Sequence, residues 1–262
     1  MKARDVHDHF RRVGTWVDWS STVDGVHIGN PDTVVRAIAV AWKPYWADLR
    51  RAHELGCNFY LAHESVFREG GAGDETAAAG PQEQGKLAWL RESGMVVYRC
   101  HDVWDLIPEV GVRDTWARGL GFEGPSIRRE GYYRVEDVTG HTVDTLARHV
   151  AGCMRSTGQP GVLVVGEGGR PVTRLGLGTG AAFQLETMLP LGADVWVLCD
   201  DYFRFVRDGA LLSDLGVPYI MANHAALEEW GIRNLARHAE ASFPDVPVHF
   251  LPQGCPYRVV TG

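Results

Sequence analysis

The chain has 262 residues, 45% of them hydrophobic and 23% charged, a globular composition with room for one large domain or two small ones. A formal net charge of -7 at pH 7 argues against a general phosphate-backbone binder, so no nucleic-acid partner is expected. The first ten positions are charged and hold no apolar core, and no apolar run approaches the ~20 residues of a membrane span, so the expectation is a reducing cytoplasm and no membrane partner.

The predicted elements alternate. Residues 5–15 read as a helix with Phe10 and Val13 on one side, and residues 16–30 as irregular chain. Residues 34–42 form a β-branched strand. Pro44 then opens a helix through Leu55, its missing N–H harmless in a first turn, and Gly56 closes it. Residues 58–62 are the next strand, with His63 and Glu64 at its carboxyl end. Residues 65–85 hold Gly70, Gly71 and Gly73 and little to bury, which reads as a long loop placed to act as a lid. A helix over 84–93 stops at Gly94, a strand over 95–100 leads into His101, Asp102 and Asp105, and a short helix covers 112–120. The glycines, Pro125 and the Arg128–Arg129 pair mark a boundary, so the expected division is a first half, 1–125, and a second half, 126–262, that shares the site and packs back on the first.

The second half repeats the pattern. Strands are predicted over 132–138, 162–165, 172–177, 194–198, 217–222 and 246–251, and helices over 142–156, 180–189, 203–215 and 229–241. Asn223 is suited to cap the helix that follows, because its side-chain oxygen can take an orphan amide of the first turn. His224 and Glu228 are then i and i+4 on one helical face, a metal-binding or acid–base geometry, or simply a solvated His–Glu pair. Alternation of this kind implies an α/β fold with mixed, largely parallel sheets, whose ligands sit outside the carboxyl ends of the strands. His63, Glu64, His101, Asp102, Asp105, Asp200, Asp201 and His224 all fall just past predicted carboxyl ends, and three His-plus-carboxylate sets point to a metal site. The five cysteines form no C-x-x-C and are odd in number, so they imply neither a disulfide framework nor a Cys-rich zinc site. Gly176–Gly180 is read as a strand-to-helix turn ahead of a phosphate loop, and no P-loop is present. Arg128, Arg129, Arg134 and Arg204 are either solvated or placed to meet an anion.

These residues carry a resemblance. Gly25-Val26-His27-Ile28-Gly29 is similar to an early G-L-Q-x-G, His63-Glu64-Ser65 to a strand-end H-H-P, and His101 with Asp105 to H-T-x-x-D. Arg174–Gly180 resembles R-V-x-x-x-G-G, and His224 with Glu228 resembles a closing G-H-x-x-x-E. Together, over nearly the whole chain, they resemble the Nif-three-like family of dinuclear-metal proteins, often described as type 2 GTP cyclohydrolase I. The resemblance implies two related α/β halves with the site in the cleft between them, a toroidal homohexamer, and metal ligands at His63, Glu64, Asp105, His224 and Glu228, with Asp102 a competitor for Asp105.

Five ligands suit two divalent ions, zinc, iron or manganese, sharing a bridging carboxylate, for which Glu228 is the candidate. Glu64 stands where the family has a second His, a harder ligand that moves the preference from zinc toward manganese, iron or magnesium. Asp200 fits the family's T-G-D-x-x-x-H, but Arg204 replaces its His and suggests anion binding. His101, which could orient a ligand through its free N–H, and Asp200 are the candidate catalytic residues. The expected activity is metal-dependent hydrolysis of a small molecule, whether cyclohydrolase, amide or phosphoester chemistry. The alternative is a non-catalytic metal-binding or regulatory scaffold. Trp16, Trp19, Trp42, Trp46 and Trp104 bear on that choice, as either an aromatic pocket or core and interface residues.

Overall fold

The computed structural model describes residues 1–68, 78–178 and 182–260. The chain divides into two compact units, Met1–Gly111 with Ile232–Pro252, and Val112–Gly231 with Gln253–Gly262. The boundary expected at 125/126 falls inside the second unit, and the chain returns to the first at Ile232.

Among the described residues the chain opens with α1 (Ala3–Val13), β1 (Gly25–Ile28), β2 (Ile38–Ala41), α2 (Trp46–Glu54), β3 (Phe59–Ala62), α3 (Gly80–Ser93), β4 (Val96–Arg99) and α4 (Asp102–Leu106). The middle of the chain supplies α5 (Val112–Gly119), β5 (Arg128–Glu130), β6 (Tyr133–Thr142), α6 (Val143–Met154), β7 (Leu163–Val165), β8 (Pro171–Leu177), α7 (Leu185–Met188), β9 (Val195–Cys199), α8 (Ala210–Asp214) and β10 (Tyr219–Ala222). The long α9 (His224–Ser242) and β11 (Val248–Phe250) close it.

The first unit's sheet has the order β1-β4-β3-β2-β11. β4, β3, β2 and β11 run parallel and β1 joins antiparallel to β4. Every residue of β2, β3 and β4 is buried, which is why these strands read as continuous apolar runs instead of alternating ones. Ala39, Tyr60, Ala62 and Val97 share a core with Leu49 and Ala52 of α2 and Leu87 and Leu90 of α3. Phe10 of α1 stacks on Tyr98, which in turn stacks on Phe59.

The second unit's sheet has the order β5-β6-β8-β9-β10-β7. Its centre, β8-β9-β10, is parallel, while β5, β6 and β7 add antiparallel strands at the edges. Alternation along β9 separates two cores. Val195 and Val197 pack with Leu146 and Val150 of α6, whereas Trp196 and Leu198 pack with Leu185, Met188 and Leu212. Each unit therefore contains a parallel β-α-β-α-β run, and the α/β class with two mixed sheets is the one expected.

Local expectations fail where long-range contacts decide. The stretch 16–30 contains β1, a strand too short to show a period and held by pairing with β4. Pro44 lies outside α2, one residue ahead of the extended N-cap Tyr45. The helix expected from 84 starts at Gly80, with Pro81 in its first turn, and ends at Gly94 in the left-handed conformation (φ 65°). Residues 69–77 of the supposed lid lie outside the described residues. The helix expected over 180–189 is α7 running into a 3-10 turn at Leu189–Leu191, and residues 180 and 181 are again outside the description. The helix expected over 203–215 is a π turn at Phe205–Gly209 followed by α8. Among the described residues no helix is long and apolar enough to cross a membrane.

Candidate metal centre

In the first unit, β3 delivers His63 and Glu64 and β4 delivers His101, as expected from strand carboxyl ends. His63 is fully buried, and its Nδ1 lies 3.0 Å from the Cys100 carbonyl, which can only accept, so Nδ1 carries the proton. In the neutral ring Nε2 then presents a lone pair to Asp105 Oδ1 at 3.6 Å. The His101 ring stacks on His63 at 4.6 Å with an interplanar angle of 14°. Its Nδ1 lies 2.9 Å from Asp102 Oδ1 and 3.5 Å from Asp105 Oδ2, and its Nε2 lies 3.9 Å from Glu64 Oε1. Burial lowers the His101 pKa, but Asp105, Asp102 and Glu64 outweigh it and the net shift is upward. Asp105 is buried against both imidazoles, whereas Asp102 turns outward to His101 and the Thr22 hydroxyl, 2.7 Å away. One donor atom each from His63, Glu64 and His101 lies within 4.8 Å of the others.

Four supporting residues of this set were not anticipated. Asp24, which precedes β1, is buried and accepts the backbone N–H groups of His101, Asp102 (3.0 Å) and Val103 (2.8 Å), capping the five-residue α4 from a distant loop. Arg99, the last residue of β4, is buried and donates Nε to the His63 carbonyl (3.0 Å) and Nη2 to Glu64 Oε2 (3.1 Å). Lys43 and Lys86, two of only three lysines, hold the turn after Glu64: Lys43 Nζ donates to the Ser65 carbonyl at 3.0 Å and Lys86 Nζ to that of Val66 at 2.8 Å. Burial, aided by Lys43, pushes Lys86 down to about 8. Within reach of sequence reading was the rarity of lysine, which makes each one conspicuous.

In the second unit, Asn223 caps α9 as expected, its Oδ1 accepting from the Ala226 N–H at 3.2 Å. The helix begins at His224, which places His224 and Glu228 in its first turns with Nε2 and Oε1 3.0 Å apart. His224 Nδ1 lies 3.2 Å from Asp201 Oδ2. Burial acts to lower the His224 pKa, yet the flanking Glu228 and Asp201 carboxylates raise it well above the usual value. Asp200 accepts from Asn223 Nδ2 (3.0 Å) and the His224 backbone N–H (2.9 Å), so its carboxylate ties the end of β9 to the start of α9. Tyr202, two residues on, is exposed with a left-handed φ of 58°.

Other candidates fall elsewhere. Arg134 is buried between Asp114 and Glu136, both at 2.7 Å, and is a structural ion pair instead of an anion receptor. Arg128 pairs with Glu130 at the surface, and Arg129 lies 3.6 Å from Asp114. Arg204 is exposed and lines, with Phe183, Tyr202, Phe203 and Arg207, a groove of about 380 Å³. Gly176 packs its bare Cα against the Trp196 ring within β8, while residues 179 and 180 lie outside the description. Trp104 is a core residue against His238, Trp46 packs on Trp89, and Trp42 is buried, so these three pack within the first unit.

The donor chemistry fits a divalent cation. Two ligands at ~2.1 Å from one tetrahedral ion are about 3.4 Å apart, close to the 3.6 Å between His63 Nε2 and Asp105 Oδ1. The anchored Nδ1–H of His63 leaves the other ring nitrogen as the donor, the arrangement that ligating histidines adopt. The second unit offers another imidazole–carboxylate pair in His224 and Glu228.

Comparison with known proteins gives a consistent picture. The profile of the family Duf34/NIF3 (NGG1p interacting factor 3) matches residues 1–256. The chain is 26% identical over 215 residues to a Pseudomonas aeruginosa protein named "GTP cyclohydrolase 1 type 2 homolog", covering 80% of this chain and 81% of that one. Among solved structures, the Staphylococcus aureus hypothetical protein SA1388 superposes with a TM-score of 0.80 at 17% identity, over 99% of both chains. A Bacillus cereus protein related to NIF3 gives 0.75 at 15% identity, again over 99% of both. Reduced HcgD from Methanocaldococcus jannaschii gives 0.73 at 18%, over 97% of this chain and 98% of that one. At these identities the structural likenesses establish the fold.

Proposed function

The chain belongs to the Duf34/NIF3 family, and on that premise we propose that it is a metal-dependent hydrolase of a small molecule, using two divalent ions and donors from His63, Glu64, Asp105, His224 and Glu228. The observation that carries the reading is the facing of His63 Nε2 and Asp105 Oδ1, two buried acceptor atoms 3.6 Å apart, with the imidazole tautomer set by the Cys100 carbonyl. Two lone pairs so placed repel unless a cation or a proton lies between them. Divalent ions in such a set supply electrophilic activation of water and of the scissile group.

The chain's own residues do the positioning. Asp105 stands against both imidazoles of the first set and is the proposed ligand, while Asp102 aligns His101. His101 supports His63 by stacking and, being a quarter exposed, forms the solvent side of the set. Asp200 acts through His224, by bonding that residue's backbone N–H. The proposed setting is a homohexamer in a reducing cytoplasm.

The test is elemental analysis of untagged protein purified without chelator, beside His224→Ala and Glu228→Ala. Close to two transition-metal ions per chain, markedly reduced in both variants, supports the reading and directs substrate screening to cyclic amides, phosphoesters and nucleotides. Full metal occupancy in both variants would overturn the ligand assignment, and negligible metal in the unaltered protein would favour a non-catalytic regulatory scaffold.

A further inference from the structure

We infer that Arg99 is a positioning residue that determines metal preference: by holding Oε2 of Glu64 it makes Glu64 a one-oxygen donor and offsets the negative charge that a carboxylate brings to this position. The inference rests on the proposed reading of Glu64 as a ligand.

Arg99 stands beside Ala62 in the parallel register of β3 and β4, at the point where His63 and Glu64 leave the sheet. Its guanidinium fork makes two contacts at once. Nε fixes the His63 carbonyl at 3.0 Å, so the backbone of the first donor is held, and Nη2 fixes Glu64 Oε2 at 3.1 Å, so the side chain of the second is held. The Ser65 N–H, 3.3 Å from the same oxygen, adds to the grip. Glu64 Oε1 is the oxygen on the imidazole side, 3.9 Å from His101 Nε2. Arg99 is only 6% exposed, and its Nη1 is buried without an acceptor among the described residues. A guanidinium this deep needs its carboxylate partner, because breaking one side of a buried pair leaves an uncompensated charge.

Two consequences follow. Chelation of an ion by both Glu64 oxygens would strip Arg99 of that partner, so Glu64 binds through one oxygen. One-oxygen carboxylates with imidazoles suit zinc, iron and manganese, whereas calcium takes many oxygens and often both from one carboxylate. In charge, a bonded Glu64–Arg99 pair is also equivalent to a neutral imidazole, the group that the family pattern carries at position 64. Arg99 thus lets a glutamate stand there without making the set more anionic.

The test is titration of chelator-stripped full-length protein with zinc and with calcium, against a competing chromophoric chelator, with thermal unfolding of each metal-free variant as the folding control. Arg99→Met is expected to weaken zinc binding roughly 10–100-fold, as loss of a ligand-orienting partner does, and to narrow the zinc-over-calcium preference. Arg99→Lys, which keeps the charge without the fork, falls between. In the Glu64→His background, Arg99→Met is expected to cost much less zinc affinity, since Arg99 then has no carboxylate to hold and keeps only its bond to the His63 carbonyl. Unchanged zinc affinity in Arg99→Met, or an equal loss in both backgrounds, overturns the inference. Should Arg99→Met not fold, Arg99→Lys in the two backgrounds decides by the same comparison. Absence of zinc, iron or manganese binding by the unaltered protein sinks the proposed function together with this inference, whereas binding that is indifferent to Arg99 sinks the inference alone.

Discussion

Removing the Asp24 carboxylate is expected to unlock α4 and, with it, His101 and Asp105. Three backbone amides, of His101, Asp102 and Val103, donate to the two oxygens of this one buried side chain. Replacing an acidic N-cap by alanine typically costs about 1 kcal/mol and up to about 2, and hydrogen bonds to a charged group are each worth about 1.5–3 kcal/mol before the desolvation of that group is set against them. Asp24 is buried, and desolvation raises its pKa above the ordinary carboxylate value despite the amides, so that opposing contribution is substantial. A net loss of about 3 kcal/mol is therefore expected for Asp24→Ala. Asp24→Asn keeps one oxygen and is expected to lose about half as much, because Oδ1 serves His101 and Asp102 while Oδ2 serves Val103. Native-state hydrogen exchange reads this locally: about 3 kcal/mol corresponds to roughly a hundredfold faster exchange of those three amides. Metal affinity is expected to fall about tenfold as the donors loosen. Unchanged protection of the three amides in Asp24→Ala would refute the assignment of Asp24 as the cap of α4.

A pH dependence is expected from the His9–His238 pair in the first unit, whose Nε2 atoms lie 2.9 Å apart. Burial first, then His238 and Arg12, push His9 down to about 4 from its usual 6.5. The folded state therefore resists protonation that the unfolded state accepts, and stability present above about pH 6.5 is lost progressively as pH falls toward 4. Thermal unfolding between pH 7.5 and 5 should show this slope flattened in His9→Gln, and an identical slope in the variant would refute it. In the second unit, a methyl at Gly176 would clash with the Trp196 indole. Gly176→Ala is expected to destabilise by about 1–3 kcal/mol through overpacking, and a urea midpoint equal to that of the unaltered protein would contradict that packing.

The strands that carry the site were legible because their residues are buried on both faces. Continuous apolar runs such as Phe59–Ala62 and Val195–Cys199 record that burial directly in the sequence. The Asn223 cap and the i, i+4 spacing of His224 and Glu228 are likewise local, since both depend on residues within one or two helical turns. The motif order sufficed for the family, and the His63–Glu64 pair was placed correctly at the end of β3 because a strand end needs no partner to be seen. Tertiary structure alone decided the supports. Arg99 meets Glu64 across 35 residues, and Asp24 meets α4 across 77 to 79, distances over which a sequence carries no period or spacing rule. The choice of Asp105 over Asp102 as the neighbour of His63 also came from packing, because α4 turns one carboxylate inward and the other toward Thr22. Local patterns in a sequence register what each residue needs from its near neighbours and from burial, whereas the partners that answer a buried charge are chosen only when distant segments close on one another.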